Sequence, residues 1–368
     1  MDESPGGGRD AMSGILVAAL ALAGLAFSFT PVAERIDASL LDLHWSLLRK
    51  FDHRPAPDDI IIVGVDDASI RAIPEPPGLW HEPLGRALVR IASARPRAIG
   101  LDVEIPGRSF DSLIPGLDRT LLVGLAAARQ NGPFVVALTI DARTRAANPV
   151  HAPFLALLGE QRLGIGMFSR EVDGVTRRFS LDLPTEDGGF PTFDGRLCRA
   201  LSKRCGEGYI NFALGAGFRY VPLKQVLETQ DTQLLGKLFR DRIVLIGEAQ
   251  RFSNRIAVPV NLAGWEPGGN DSPEVVVHAQ SLRTALLDAA PQDAARPAIL
   301  VLVTLAALLA LMRNWRLALV TAGLGAAVLM VAGVAALRGG VVLHLSSALL
   351  TLAFAWGWLA IDAWRRKR

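Results

Sequence analysis

This 368-residue sequence contains few cysteines and tyrosines and carries little net charge. There are two cysteines and two tyrosines, and the formal net charge is only +3. Two thiols without a neighbouring pair of histidines do not make a zinc site, so we expect no metal. Part of the basic surplus lies at the chain end, 365–368, instead of in a stripe along a domain. This charge distribution argues against nucleic acid as a partner.

Sequence motifs typical of enzymes are also missing. No Gly-x-Ser-x-Gly, Gly-x-x-x-x-Gly-Lys, His-Glu-x-x-His or Cys-x-x-Cys pattern occurs. Gly164 and Gly166 lack the third glycine and the strand-turn-helix context of a dinucleotide-binding loop. We therefore expect a protein that is not an enzyme and that uses no cofactor.

Long apolar runs lie at both ends of the chain. Residues 13–33 carry no charge, and about 20 such residues span a hydrocarbon core of about 30 Å. Three further runs cover residues 297–312, 317–337 and 341–361. We predict four transmembrane helices in a lipid bilayer, with a cleaved signal peptide as the alternative for the first run.

The distribution of positive charge predicts the orientation of the spans. The turn 313–316 carries two arginines and the tail 362–368 is basic, whereas the turn 338–340 holds one arginine. We therefore expect residues 1–12 and the tail to be cytoplasmic. The large segment 34–296 is then extracytoplasmic.

The segment 34–296 has the pattern of an α/β domain. Its apolar runs are typical of strands covered on both faces, and they alternate with helical patterns. We predict strands at 59–67, 98–102, 133–140, 209–212 and 242–247, and helices at 83–96, 118–130, 191–204 and 277–287. This order predicts a three-layer domain with a mostly parallel sheet, and the Asp173-Gly174 turn adds a hairpin element.

Residues 34–51 follow the first apolar run with a helical pattern of their own. Ile36, Leu40, Leu43 and Leu47 recur at the spacing of one helix face. We predict a helix that continues out of the membrane and acts as a lever. Small residues in the spans permit close helix contact, so we expect a homodimer.

Several short motifs of the outer segment occur in one order. They are Asp66-Asp67-x-Ser69, Trp80, the strand 98–102, Asp173-Gly174, Arg177-Arg178, the strand 243–247, Pro259 and the triplet 277–279. This series resembles the second type of CHASE domain, an extracellular sensory domain associated with bacterial cyclases and histidine kinases. The resemblance implies a multi-pass sensor of the bacterial inner membrane, with its large domain in the periplasm or outside the cell and an unknown extracytoplasmic ligand.

The sequence departs from that family in two places. The loop before Pro259 carries Asn254 or Arg255 where the family has an acid. The family also continues into an output domain, whereas this chain stops seven residues after Ile361. We therefore expect the signal to pass to a separate partner at the membrane or in the cytoplasm. The alternatives are a non-switching structural or anchoring subunit of an envelope assembly, and a sensor cut before its output domain.

Carboxylates at strand ends are the first candidate ligand-binding residues. Asp66, Asp67 and Asp102 lie at the ends of two predicted parallel strands, and open α/β sheets bind ligands at that edge. We predict that they converge on a cation or an amine. In the alternative interpretation, Asp67 caps a short helix and Asp66 or Asp102 pairs with an arginine such as Arg86.

Arg177, Arg178 and His278 complete the candidate set. Arg177 and Arg178 alternate across one strand, so one of them is expected to reach an acid in the ligand crevice. His278 lies near the start of the last outer helix, where we expect it to lock that helix to the sheet. A ligand-binding or pH-sensing histidine is the alternative.

Cys198 and Cys205 lie seven residues apart in a segment with a helical pattern, and in an intact helix their Cα atoms would be about 10 Å apart. That distance exceeds the reach of a disulfide. Gly206 follows at once, so an unwound last turn would permit a disulfide in an oxidising compartment. Both possibilities remain open at this point.

Overall fold

A computed structural model of the protein describes residues 7–141, 146–184, 189–252, 254–266 and 269–367. Part of the predicted N-terminal segment and the last residue therefore lie outside the described residues. The helices are α1 (Gly7–Phe27), α2 (Pro31–Phe51), α3 (Asp67–Ala72), α4 (His81–Ser93), α5 (Leu117–Gln130), α6 (Ala152–Leu158), α7 (Phe193–Ala200), α8 (Leu223–Glu228), α9 (Thr232–Phe239), α10 (Glu274–Leu286), α11 (Arg296–Ala307), α12 (Trp315–Arg338) and α13 (Ser346–Arg365). The strands are β1 (Ile60–Val65), β2 (Ala98–Asp102), β3 (Phe134–Leu138), β4 (Leu163–Ile165), β5 (Arg178–Phe179), β6 (Asp182–Leu183), β7 (Phe190–Pro191), β8 (Gly208–Tyr209), β9 (Arg219–Pro222), β10 (Ile243–Glu248), β11 (Arg255–Ala257), β12 (Asp271–Pro273), β13 (Gln292–Asp293) and β14 (Val341–Val342).

These elements form two compact units. His53–Ala290 is one unit, called the central domain below. The described residues before His53 and after Ala290 form the other, called the terminal unit.

A six-stranded sheet organises the central domain. Its order is β4-β3-β2-β10-β1-β9, and each pair of neighbours is parallel. The prediction of an α/β domain with a mostly parallel sheet is confirmed. Four of the six strands coincide with predicted apolar runs, whereas β4 and β9 have only three and four residues and were missed.

Every second side chain of these strands points to the same face of the sheet, where apolar residues pack against α4 and α5. Val63, Leu101 and Val136 belong to one buried cluster with Leu88 of α4 and Leu125 of α5. Such an interior, built from branched residues of several strands, is typical of buried parallel sheets.

Glycines in β2 and β10 let two further helices approach the backbone. A Cβ at Gly100 would lie 2.7 Å from Phe193 of α7, and a Cβ at Gly247 would lie 2.7 Å from Val275 of α10. Real Cβ atoms do not approach other atoms so closely, so a larger residue would push α7 or α10 away.

The predicted hairpin region has a different pairing from the one expected. The Asp173-Gly174 turn is present, with Gly174 at φ +82° and a hydrogen bond from Glu171 N to Val175 O of 3.0 Å. It does not join two paired strands, however. In this region β5 pairs antiparallel with β8, which lies about 30 residues further along the chain, and β6 pairs antiparallel with β7, which begins at Phe190.

Helix α7 ends earlier than predicted, and this decides the state of the cysteines. The helix stops at Ala200, so Cys205 lies beyond it. Cys198 and Cys205 are joined in a disulfide, with their Cα atoms 6.3 Å apart. The separation calculated for an intact helix therefore does not apply.

The apolar runs of the terminal unit become helices of unequal length. Among the described residues, α12 and α13 are long and apolar enough to cross a membrane. A third candidate exists if the bent pair α1 and α2 counts as one span, and α11 with its continuation to Leu311 is shorter. The predicted run 341–361 begins as the strand β14, and its helix starts only at Ser346.

The predicted lever helix is present as α2, but it does not continue the first helix. The chain bends by 79° at the break after Phe27. Thr30 caps α2 by accepting a hydrogen bond from Ala33 N at 3.2 Å, and Pro31 starts the helix. Proline is favoured at this position because its missing N–H would have no partner there.

Candidate functional site

The carboxyl ends of the central strands meet at one edge of the sheet. β1 ends before Asp66, β2 ends at Asp102 and β10 ends at Glu248. Because β10 lies between β1 and β2, two strand spacings, or about 10 Å, separate the axes of β1 and β2. Asp66 and Asp102 therefore belong to two neighbouring sites and not to one.

Asp66 and Asp67 line a cavity of about 420 Å³. Asp66 is fully engaged: it accepts a hydrogen bond from Ser69 N at 2.7 Å and one from the Tyr220 hydroxyl at 2.9 Å. The first of these bonds caps α3. The sequence interpretation in which Asp67 caps this helix is therefore wrong, since α3 begins at Asp67 and its cap is the preceding residue.

Tyr220 and Trp265 form an aromatic wall of the same cavity. Their rings stack with centroids 4.3 Å apart and planes 22° apart. Burial and the neighbouring Asp66 raise the pKa of Tyr220 well above its usual range, so the phenol stays protonated and donates to that carboxylate.

Arg255, one of the two residues found where the family has an acid, forms ion pairs beside the cavity. Its guanidinium lies 2.7 Å from Glu266 and 2.8 Å from Asp271. These two pairs raise the pKa of Arg255 even though burial alone would lower it. The arginine thus joins the start of β11 to Glu266 in the following loop and to Asp271 at the start of β12.

Asp102 belongs to a second group, centred on His278. His278 is only 2% exposed, and its Nδ1 lies 3.2 Å from both carboxylate oxygens of Asp194. Its Nε2 lies 3.3 Å from the carbonyl oxygen of Gly166. Both neighbours accept hydrogen bonds, so this geometry fits an imidazolium that donates from both nitrogens.

The charges around His278 shift its protonation and that of its neighbours. Burial by itself lowers the pKa of His278, but the charge and hydrogen bond of Asp194 outweigh it and raise that pKa to about 10. Burial raises the pKa of Asp102 to about 6, against the lowering effect of His278. Burial and the charge of Asp102 raise the pKa of Glu274 to about 7. The group therefore holds more protons at neutral pH than the same residues would in water.

The contacts of His278 fit the structural role predicted for it. It joins α10 to Asp194 of α7 and to the backbone that follows β4. Ser281, one turn further along α10, donates a second hydrogen bond to Asp194. The expected ion pair of Asp66 or Asp102 with Arg86 does not occur among the described residues, where Arg86 instead lies 3.2 Å from Glu82.

The two predicted arginines lie apart from the cavity beside Asp66. Arg177 is 1% exposed and binds Glu171 and Asp173 at 2.7 Å each, so it closes the turn that precedes it. Arg178 is half exposed, and its guanidinium lies 3.9 Å from the ring centroid of Tyr209. Arg178 also lines a small cavity together with Asp194 and His278.

A second large cavity, of about 610 Å³, lies at the ends of β1 and β10. Its walls are mostly apolar and include Trp80, Leu84 and Ile105. His81 and Glu248 are among its few polar residues. Sequence reasoning named Trp80 only as part of a motif and did not predict this cavity.

Several residues of these sites carry no signal in the sequence. Tyr220 and Trp265 lie in short loops or strands, and Asp194 lies in the first turn of α7, where an acid is expected for helix capping alone. Glu274 begins α10 in the same way. Only the tertiary structure brings these residues next to the predicted ones.

A family model described as CHASE2 domain matches residues 15–322, which include most of α1, the whole central domain and the start of α12. No curated protein and no solved structure matches the chain significantly. The family match covers well over half of the sequence and agrees with the family that the sequence resembles. The protein therefore belongs to the CHASE2 domain family, whose members are extracellular sensor domains.

Proposed function

We propose that this protein is a membrane-bound sensor that is not itself an enzyme. Its three-layer central domain lies outside the cytoplasm and receives the stimulus, and four helices of the terminal unit cross the inner membrane. A homodimer passes the change to a separate partner. The observation that carries this proposal is a polar network in the terminal unit.

Asp37 of α2 caps a helix to which it is not adjacent in sequence. Its carboxylate accepts hydrogen bonds from the backbone N–H and the hydroxyl of Ser346, both at 2.8 Å. Ser346 is the first residue of α13. A capping residue satisfies the otherwise free N–H groups of a helix start, so the position of α2 influences the start of α13.

His344 connects the same carboxylate to the segment that follows the central domain. Its Nε2 lies 3.1 Å from Asp293 and its Nδ1 lies 3.6 Å from Asp37. The imidazole thus bridges the two acids.

The short pair β13 and β14 reinforces this connection. Gln292 N donates to Gly340 O at 3.0 Å, and Ala294 N donates to Val342 O at 2.9 Å. α2 directly precedes the central domain in sequence and β13 directly follows it. The two segments that flank the central domain in sequence, α2 and β13, therefore both bind the turn between α12 and α13.

This arrangement supports transmission, because a shift of α2 against β13 would break or strain bonds at the start of α13. A stimulus can favour such a shift only if it binds the two arrangements with different free energies. The four-span topology is supported by α11 and its 3₁₀ continuation, which together extend about 26 Å. The arginines of the turn 313–316 support a cytoplasmic side there.

The orientation is tested with a reporter that is active only in the cytoplasm. We expect activity when the reporter is fused after Arg368 and none when it is inserted near Asp187-Gly188, a site outside the described residues. The opposite result would show that the central domain is cytoplasmic.

Transmission is tested by amide hydrogen exchange, since the Ser346 N–H reports directly on the Asp37 cap. We expect Ser281→Ala, which removes a hydrogen bond to Asp194 inside the central domain, to change exchange at Ser346 and Ala294 in the full chain in lipid nanodiscs. The matched control is Ser93→Ala, because among the described residues the Ser93 hydroxyl bonds only to Arg90 O in its own helix.

Asp37→Ala shows how large a change in exchange to expect, because it removes the cap completely. A helix cap contributes about 1 kcal/mol, so exchange at Ser346 should become about fivefold faster. If Ser281→Ala alters exchange within the central domain but leaves Ser346 and Ala294 unchanged, the two units are not coupled. The protein would then be a non-switching anchor.

A further inference from the structure

The cavity of about 420 Å³ beside Asp66 has an excess of negative charge. Its charged lining residues are Asp66, Asp67, Glu266, Asp271, Arg251 and Arg255. The last of these arginines is already bound to two of the carboxylates. A charge imbalance of this sign attracts cations into a cleft.

Asp67 is the carboxylate of this cavity that is available to a ligand. It is exposed, and within the described part of the chain it has no hydrogen bond or ion pair of its side chain. Asp66, by contrast, has both oxygens occupied by Ser69 and Tyr220. Asp67 therefore offers two free acceptor oxygens at the cavity wall.

The aromatic wall favours the same kind of ligand. Tyr220 covers one face of Trp265, so only the other face and the ring edges are free for a ligand. Indole is the side chain that binds cations most strongly through its ring face. The wall also offers apolar contact to the body of the ligand.

We propose that this cavity binds a small organic ammonium ion, a primary amine on a short apolar or aromatic body. The ammonium group donates hydrogen bonds to Asp67 and lies against Trp265, and the body packs in the rest of the cavity. The volume is within the usual range for small-ligand sites. This proposal rests on the proposed sensor function for its biological meaning but is tested separately.

The probe is 2-phenylethylamine, titrated by calorimetry into the full-length protein in detergent micelles, with protein-free micelles as the blank. The matched anion is 3-phenylpropionate, which has the same ring and the opposite charge. We expect the amine to bind and the anion to give no heat of binding at tenfold higher concentration.

Variants assign the contacts. We expect Asp67→Asn to weaken amine binding about fivefold, as for an exposed ion pair, and Trp265→Ala to weaken it about tenfold through loss of the aromatic face. Trp265→Phe should retain most of the affinity, because it keeps an aromatic ring. The control Glu75→Gln removes an exposed carboxylate outside the cavity lining and should change nothing.

Three results would overturn the amine assignment. Equal binding of the anion, or unchanged binding in Asp67→Asn, would show that the carboxylate does not select the ligand. Competition by millimolar Mg²⁺ or Ca²⁺ that disappears in Asp67→Asn would indicate a metal site. Tighter binding of phenylalanine than of the amine, lost in Arg251→Gln, would indicate a zwitterion.

The outcome for the cavity is separate from that for the sensor. Absence of amine binding would leave the exchange test at Ser346 as it stands. Amine binding without any change in exchange at Ser346 would keep the cavity assignment and contradict the sensor proposal.

Discussion

Replacement of His278 by glutamine is predicted to destabilise the central domain and to change how its stability depends on pH. The side chain is buried, with Asp194 on Nδ1 and the Gly166 carbonyl on Nε2. Breaking a buried ion pair by removing one partner costs about 3 to 5 kcal/mol. Glutamine can reach only one of the two acceptors, so we expect a loss in that range.

The pKa of His278 gives an independent value. It rises from 6.5 to about 10 on folding. At about 1.36 kcal/mol per pKa unit, the bound proton stabilises the domain by at most about 5 kcal/mol. This value falls within the range expected for the loss of one partner of a buried ion pair.

The sign of the pH dependence follows from the raised pKa. Between pH 6.5 and 10 the folded state holds a proton on His278 that the unfolded state has released. The stabilisation that the proton on His278 gives to the folded state is fully present below pH 6.5 and is lost as the pH rises through 10. The loss between pH 7 and 9 is about 2.5 kcal/mol.

The raised pKa values of Asp102 and Glu274 act in the same direction at lower pH. Their protonated forms are favoured by folding, so stability falls as the pH rises from about 4 to 7. The wild-type domain is therefore expected to be more stable at pH 6 than at pH 9. His278→Gln removes the part of this slope that lies above pH 7.

The assay is thermal unfolding of the full chain in micelles, followed by tryptophan fluorescence at pH 6, pH 7 and pH 9. A loss of 3 to 5 kcal/mol corresponds to a Tm lower by about 10 °C for a domain of this size. His53→Gln is the control, since His53 is exposed. A wild-type Tm that is flat or rises from pH 7 to 9, or a slope unchanged in His278→Gln, would refute the reasoning.

Three further predictions concern other parts of the chain. Asp66→Ala removes the cap of α3 and the acceptor of the Tyr220 hydroxyl, so denaturation should show a loss of about 1 to 2 kcal/mol; no loss would mean that the cap is unimportant. A cysteine at Leu43, which is 46% exposed on α2, should cross-link between chains in native membranes, whereas one at the fully buried Trp45 should not; cross-linking at both or neither would contradict a dimer through this helix face. Replacing both Cys198 and Cys205 by serine should lower the free energy of unfolding by about 2.5 kcal/mol, as measured in denaturant, and a reductant should then have no further effect.

Local sequence patterns were enough to predict most of the sheet of this protein. The apolar runs that became β1, β2, β3 and β10 are continuous, because strands covered on both faces need no alternation. The helical patterns of α4 and α5 were equally clear, since their apolar residues recur at helical spacing. The order of strands was not predictable, because β10 pairs with two strands from the beginning of the domain.

The predicted membrane spans show that length and composition alone can give wrong helix boundaries. The first apolar run is uncharged throughout, yet Thr30 and Pro31 start a new helix within it. The run 341–361 is likewise apolar from its first residue, but Val341 and Val342 pair with β13 instead of joining α13. Hydropathy registers neither a cap nor a distant backbone partner. The first boundary is set locally by Thr30 and Pro31, and only the second depends on a tertiary contact.

The candidate residues divide in the same way. By itself the sequence determined that acids follow the strands, that His278 lies near the start of α10 and that the chain resembles a sensor family. Only the tertiary structure decided that Asp66 is engaged while Asp67 is free, and that Asp102 belongs with His278. The physical reason is that a side chain acquires its charge state and its partners from residues brought near by folding, and Asp194 and Tyr220 are far away in sequence.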